Sequence, residues 1–294
     1  MSAPVVAAPS AAAAPRPAGR EDWPALQRRP VRRRAARVFT LGTEVPPRLR
    51  WALRGTALLV PFLAWWALAA SHAVDPPFLP SPGAVWAAGT RMLSTGELLH
   101  DTAASVRRVL LGFGLAVAIS VPLGIAMGAF RAVQAAFEPV IGILRYLPAS
   151  AFIPLLIIWL GLGEPSKVAI LVIGVVFFNT LMTADVVRLV PRALIEVSYT
   201  LGATRAEVLR KVILPHALPG MLDAMRVNAA AAWNFVVVAE LVAATSGLGY
   251  RIVRAQRFLQ TDRIFAVLVV IGLIGLLIDV ALRLVRERVG RWTG

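Results

Sequence analysis

Four stretches of the chain lack Asp, Glu, Lys and Arg over a length that reaches or nearly reaches across a bilayer: Gly55–Val74, Val109–Phe130, Tyr146–Gly163 and Val168–Ala184. A helix rises 1.5 Å per residue, so about 20 such residues cover the roughly 30 Å hydrocarbon layer. Two further runs each hold one acid, Glu240 in Val227–Tyr250 and Asp279 in Ile264–Leu282. In lipid every backbone polar group must find its partner inside the segment, which makes each run a helix. The pattern therefore predicts an all-α, polytopic membrane protein of about six transmembrane helices.

Between the fourth and fifth runs lies a polar, helix-forming stretch, Glu196 to Pro215. Pro191 suits the first turn of a short helix and Gly202 suits a left-handed break. Thr204 with Glu207 three residues on makes a capping box that starts a second short helix. Val208, Leu209, Val212 and Ile213 fall on one side of that helix, with Arg205, Arg210 and Lys211 on the other, and Pro215 is expected to end it. Spacing alone allows two readings, a docking handle for another protein or an ordinary linker between membrane helices.

Polar positions inside the spans narrow the candidates further. In the fifth span Arg226, Trp233 and Glu240 recur every seven residues, and Asp223 and Asn234 fall within the same third of the helical wheel. A charge at mid-span costs about 2.5–3.5 kcal/mol on insertion scales, so this face is expected inside the bundle or along a wet pathway. A second placement puts Asp223 and Arg226 at one headgroup edge and Glu240 near the other, leaving only Asn234 deep. In the third span Glu138 and Arg145 share a face, and Pro148 and Pro154 interrupt the helix beyond them; broken helices belong near functional cavities. Asp279, Arg283 and Glu287 form an i, i+4 ladder that would secure the end of the sixth span. Gly124 and Gly128 make a GxxxG pair, suited equally to packing within one subunit and to dimerisation.

Composition agrees with a bilayer protein: 58% of the 294 residues are hydrophobic and 16% charged, with mean hydropathy +0.71. Basic residues set the orientation, because Lys and Arg resist translocation. With both termini cytoplasmic, 22 of the 31 basic residues fall on the inner side, and the Glu196 loop falls there too. Four arginines in the last outer loop, Arg251, Arg254, Arg257 and Arg263, run against this bias. The net charge of +15 sits mostly in the N-terminal tail and the inner edges. That pattern fits membrane lipid headgroups and no nucleic acid. Residues 1–50, rich in Ala, Pro and Arg, read as a disordered basic cytoplasmic tail, and 51–294 as the transmembrane domain.

Little in the chain could carry covalent or metal chemistry. There is no cysteine. His72, His100 and His216 are scattered, and Lys167 and Lys211 lie on opposite sides of the membrane, against metal clusters and a Ser–Lys dyad. No GxxxxGK[ST] loop occurs, so the chain cannot cradle ATP phosphates and any ATP-driven work needs a partner. These gaps argue against a membrane enzyme. An ion-coupled secondary transporter would need intramembrane acids at a repeat, and only Glu240 and Asp279 are candidates, with no matching halves.

The loop resembles that of the binding-protein-dependent ABC importer permeases, marked by EAA, three residues, Gly, about nine residues, an apolar residue and LP. Here the pattern reads Glu196-Val197-Ser198, then Gly202, then Ile213-Leu214-Pro215, with both alanines replaced. IPLLIIWLGLGEPSK from Ile153, Arg145 before it, and VVAELVAATSGLGYRIVRAQRFLQTD from Val237 are similar to the nitrate, taurine and aliphatic sulfonate branch. The resemblance covers about residues 98–288. It implies a type I ABC importer permease fold, with a coupling loop over 191–219 that docks an ATP-binding subunit through Glu196, Ser198, Gly202, Ala203, Thr204, Leu214 and Pro215. It also implies ATP and Mg used by that partner and no cofactor in this chain. A second permease copy forming a homodimer, a periplasmic or lipid-anchored solute-binding protein, and an inner-membrane location complete the implied assembly. Arg145, Asn179, Arg226, Trp233, Asn234 and Glu240 are the candidate pathway residues. The branch commonly has FFP where this chain has Phe177-Phe178-Asn179, and an NT pair where it has Met182 and Thr183. If that span lines the pathway, the departure implies a substrate other than the branch's usual one.

Overall fold

The computed structural model describes residues 45–71, 73–75 and 77–290. Residues 1–44 of the tail expected over 1–50, and His72, lie outside them. The chain divides into two units at Val60 and Pro61. In the first, the described residues hold the start of helix α1 (Pro47–Ala70), which begins on a proline before the expected boundary at 51; there Arg54 lies over the Trp51 ring at 5.4 Å.

The second unit is all-α. After the end of α1 come α2 (Pro82–Ser94), α3 (Glu97–Ala129), α4 (Arg131–Leu144), a 3-10 turn (Ala149–Phe152), α5 (Ile153–Leu160) and α6 (Glu164–Arg188). Then follow α7 (Arg192–Thr200), α8 (Arg205–Glu207), a π-helical turn (Val208–Ile213), α9 (Leu214–Ala243), α10 (Leu248–Arg257) and α11 (Thr261–Val289). Five of these stretches are long and apolar enough to cross a membrane: α1, α3, α6, the continuous run Arg205–Val242, and α11.

The third expected span takes another form. Tyr146–Gly163 is not one helix; α4 and the Ala149–Leu160 segment meet at an 80° bend and supply a sixth crossing only as a broken pair. Pro148 removes a backbone donor at the break and restricts the residue before it to extended geometry, while Pro154 sits harmlessly in the first turn of α5. The fifth expected span also ends early. Its helix stops at Ala243, and Tyr250 belongs to α10 beyond a turn.

The centre of the bundle is the contact between α3 and α6. Gly112, Ala116, Ser120, Gly124 and Gly128 recur every four residues along α3 and form one small-residue stripe. A Cβ built on Gly124 would sit 2.6 Å from the Thr183 Cβ and 2.7 Å from the Thr180 carbonyl oxygen; one on Gly128 would meet Val187 at 2.5 Å and the Ala184 carbonyl at 2.7 Å. The GxxxG pair therefore packs against a helix of its own chain. α9 closes on the other side of α6, where the Phe235 ring would contact a Cβ on Gly174 at 2.6 Å. The main apolar core, with Ile170, Leu171, Val175, Ala232, Val236 and Val267, fills the space among α3, α6, α9 and α11. Trp65 joins the end of α1 to it by stacking on Phe265 at 5.6 Å and donating to the Pro80 carbonyl at 3.1 Å.

This packing predicts a contrast within one helix. Gly124→Ala lowers the thermal midpoint of the purified protein in detergent, by overpacking worth about 1–3 kcal/mol, whereas Gly114→Ala, where nothing lies within 4 Å, leaves it equal or higher. Equal midpoints for the two variants would remove the close α3–α6 contact from the account.

Candidate functional site

The α7–α8 connection is built by local backbone chemistry. At the end of α7 the Ala203 N–H donates to the Ser198 carbonyl at 3.0 Å and the Gly202 N–H to the Tyr199 carbonyl at 2.9 Å. Those two bonds are a Schellman close, which needs a left-handed residue at its centre. Gly202 supplies it with φ +84°. One residue later Thr204 caps α8: its Oγ accepts from the Glu207 N–H, and its own N–H donates to the Glu207 carboxylate at 3.0 Å. Lys211 clamps the other carboxylate oxygen at 2.9 Å. The expected capping box and break are both present, and Ala203, the last residue of the first motif, directly precedes Thr204, the cap of the second.

Pro215 does not end the second helix. α8, the π turn and α9 run on as one rod, and Leu214 donates to the Leu209 carbonyl five residues back. The widened turn immediately precedes the proline, whose ring and missing N–H would otherwise collide with a regular α register. The run Arg205–Val242 holds 38 residues, about 57 Å of helix. That exceeds the hydrocarbon layer by more than 25 Å, so the run is longer than one perpendicular crossing needs.

α7 has two faces. Ile195 packs inward against the cluster of Val187, Val190, Val208 and Ile213. Leu194, Val197 and Leu201, spaced i, i+3, i+7, remain exposed, Leu201 by 82%. Glu196 stands exposed beside them, with no ion-pair partner among the described residues. Leu214 and Pro215 are half-buried at the start of α9.

The candidate pathway residues fall into separate places. Asn179 is fully buried between α3 and α9: its amide nitrogen donates to Ser120 Oγ at 2.6 Å, and its oxygen accepts from Asn228 at 3.2 Å. Trp233 is buried and donates to the Ile271 carbonyl of α11 at 3.0 Å. Arg226 pairs with Asp279, and Asp223 with Arg286 at 3.1 Å, tying α9 to α11. Asp279 thus reaches across to Arg226 where the sequence suggested a ladder to Arg283; the Arg283–Glu287 step stands at 3.9 Å. Asn234, one residue and about 100° past Trp233 on α9, is exposed. Arg145 is exposed at the break after α4, where its guanidinium lies over the Tyr146 ring at 4.9 Å and donates to the Tyr146 hydroxyl at 3.0 Å.

Glu240 belongs to a buried ionic cluster at the end of the bundle opposite the α7–α8 loop. Arg108, 2% exposed, uses all five guanidinium N–H groups: two on Glu164 at 2.7 and 2.8 Å, one on Glu240 at 2.6 Å, and two on Ser246 at 2.8 and 3.0 Å. Glu240 also accepts from Ser105 at 2.7 Å and from the Gly249 N–H at 2.9 Å. Asp101 accepts from the Gly247 N–H at 2.9 Å and from Arg251 at 2.6 Å. The turn between α9 and α10 is thereby clamped onto the first turns of α3. Gly247, at φ +118°, leaves room for the carboxylate: a Cβ there would lie 2.4 Å from Glu240. Sequence reading did not single out Asp101, Ser105, Arg108 or Glu164, and named Arg251 only as an outer-loop arginine. The signal present was Asp101, Ser105 and Arg108 at i, i+4, i+7, one face of a helix that begins at Glu97.

Residues 120–291 match the family model described as "Binding-protein-dependent transport system inner membrane component". The chain is 36% identical over 256 residues to the taurine transport system permease protein TauC of Escherichia coli (strain K12), covering 83% of this chain and 93% of that protein. It is 32% identical over 249 residues to the putative aliphatic sulfonates transport permease protein SsuC of Bacillus subtilis (strain 168), covering 84% and 90%. Over 260 residues it is 35% identical to the riboflavin transport system permease protein RibX of Chloroflexus aurantiacus (strain ATCC 29366 / DSM 635 / J-10-fl), covering 85% and 96%. Among solved structures, an inward-facing form of the MetNI methionine ABC transporter superposes with a TM-score of 0.61 at 22% identity, covering 67% of this chain and 97% of that one. At that identity the likeness is one of fold.

The ionic cluster makes a stability prediction. Arg108→Leu leaves Glu240 buried without its cation and is expected to cost about 3–5 kcal/mol, read as a large fall in thermal midpoint, whereas Asn234→Leu on the exposed side of α9 changes it little. A normal midpoint for Arg108→Leu would mean that the cluster does not hold the α9–α10 turn.

Proposed function

Because this chain belongs to the family of binding-protein-dependent transport system inner membrane components, it is the permease subunit of an ABC importer for a small solute, and we propose that α7 and α8 are the handle by which an ATP-binding subunit moves it. The observation that carries this reading is the exposed apolar stripe Leu194, Val197 and Leu201 on a short helix closed by a Schellman motif. A capped rod that becomes a membrane span begins one residue later. An amphipathic helix with anchors at i, i+3 and i+7 fits a groove on a partner. Glu196, Ser198, Gly202, Ala203 and Thr204 form or flank the docking surface; Leu214 and Pro215 root it in α9. The partner subunit uses ATP and Mg, and its closure swings the pair of short helices as a rigid lever.

The basic bias supports an inner-membrane orientation with the loop and both termini in the cytoplasm. On the opposite side a periplasmic or lipid-anchored solute-binding protein delivers the solute, and a second copy of the chain completes the pathway. Arg145 and Asn234 are its best candidate lining, since both are polar, exposed, and placed on segments of membrane depth. A break in a membrane helix is tolerated only against protein or water, and Arg145 stands at one. Its guanidinium supports a small anion of the sulfonate, taurine or nitrate type. Asn179, Trp233, Arg226 and Glu240 would act behind this surface, positioning the helices. The two acids available to an ion-coupled mechanism, Glu240 and Asp279, are both engaged by arginines.

The test purifies the tagged chain from its native membrane in mild detergent and identifies by mass spectrometry what accompanies it. Wild type and Arg145→Gln should bring an ABC ATPase, and Glu196→Lys should lose most of it; reconstituted Arg145→Gln should keep ATP hydrolysis and lose anion uptake. Absence of an ATPase from the wild-type preparation would end the docking proposal, and undiminished uptake by Arg145→Gln would end the anion assignment.

A further inference from the structure

A cavity of about 600 Å³ opens where α3 ends, α4 begins, α6 ends and α7 begins. Its floor is apolar, with Val187, Val190, Ile195 and Ile213 among the lining, and its rim carries Arg131, Arg188 and Arg192. Glu138 is the one carboxylate in the lining, and it is already engaged, accepting from Gln134 at 2.6 Å and pairing with Arg188 at 3.5 Å. Arg188 is further held by Asp185. Arg131 and Arg192 have no acidic partner among the described residues. The lining therefore keeps an excess of two positive charges around a space large enough for a small ligand.

We propose that this cavity binds a phosphate group, carried by an anionic lipid headgroup or by a free phosphate compound, between the guanidinium groups of Arg131 and Arg192. Guanidinium forks match phosphate oxygens two at a time, and such charge-assisted bonds are the strong ones. The cavity lies at the ends of the spans α3 and α6, the depth at which headgroups sit. Assigning it to the cytoplasmic leaflet, with its anionic lipids, rests on the orientation proposed above. Arg192 and Ile195 belong to α7, while Arg131 opens α4. A bound phosphate ties the handle to the bundle and stiffens the joint through which the ATPase acts.

The test uses the full chain in nanodiscs at constant ionic strength, reading the thermal midpoint. One series adds inorganic phosphate to phosphatidylcholine discs, and the other replaces phosphatidylcholine stepwise with phosphatidylglycerol. The wild type should be stabilised in at least one series, and Arg131→Gln/Arg192→Gln should need about tenfold or more of the same additive for an equal rise. Arg288→Gln, which removes an exposed charge elsewhere, should follow the wild type. A response to phosphatidylglycerol alone identifies the headgroup as the source, and a response to phosphate identifies a free compound. If the double variant does not fold, Arg131→Lys takes its place, keeping the charge but losing the fork, and should weaken the response. No stabilisation in either series, or an unchanged response in the variant that folds, overturns the proposal. Neither series requires ATP or an ATPase, so this result and the docking result fail separately.

Discussion

The bundle depends on how closely α3 can approach α6. Between helices in lipid the hydrophobic effect gives no net attraction, so association rests on dispersion contacts and interhelical hydrogen bonds, both of which fall away steeply with distance. Gly112, Gly124 and Gly128 bring α3 within reach of side chains and carbonyls of α6 that a single methyl group would displace. At that separation Ser120 can reach Asn179, and Asn179 can reach Asn228 on α9. These three uncharged polar groups set the register of three helices at the middle of the bundle. Their hydrogen bonds also remove the cost of burying them.

With the register fixed at the centre, the two ends do different work. At one, Arg108 gathers Glu164, Glu240 and Ser246, and the turn after α9 cannot move independently of α3 and α6. At the other, α9 continues back through the π turn into α8 as one rod. Arg226 and Asp223 bind the same rod to α11. α9 is thus anchored along its length to three other helices, α3, α6 and α11. The exposed polar groups, Arg145 and Asn234, lie outside those internal anchors.

What the sequence made legible was local or long-range in apolar pattern. The break at Gly202 and the Thr204–Glu207 box involve partners at most five residues apart, so spacing identifies them. Uncharged runs announced most of the spans. The ionic cluster was not readable, because Arg108 finds its partners 56 and 132 residues away; seen alone, Asp101, Ser105 and Arg108 look like the polar flank of a membrane helix. Asp279 offered a ladder within its own helix, and a better-placed arginine on α9 took it. Of the stripe of Arg226, Trp233 and Glu240, Trp233 and Glu240 are buried in the chain's own core while Arg226 stays part-exposed against Asp279; a buried polar position satisfied by neighbouring helices has the same spacing as one that lines water. Pro215 misled for a different reason: a proline ends a regular helix, and one widened π turn ahead of it relieves the conflict.

If Arg205 to Val242 moves as one rigid rod, spin labels at its two ends keep their separation through the transport cycle. The chain has no cysteine, so two introduced at 205 and 242 are its only labelling sites. They should lie about 55 Å apart, and in the assembled transporter that distance should be the same with and without bound ATP. A shortening of several ångströms when ATP binds would make the π turn and Pro215 a hinge, and would contradict the lever.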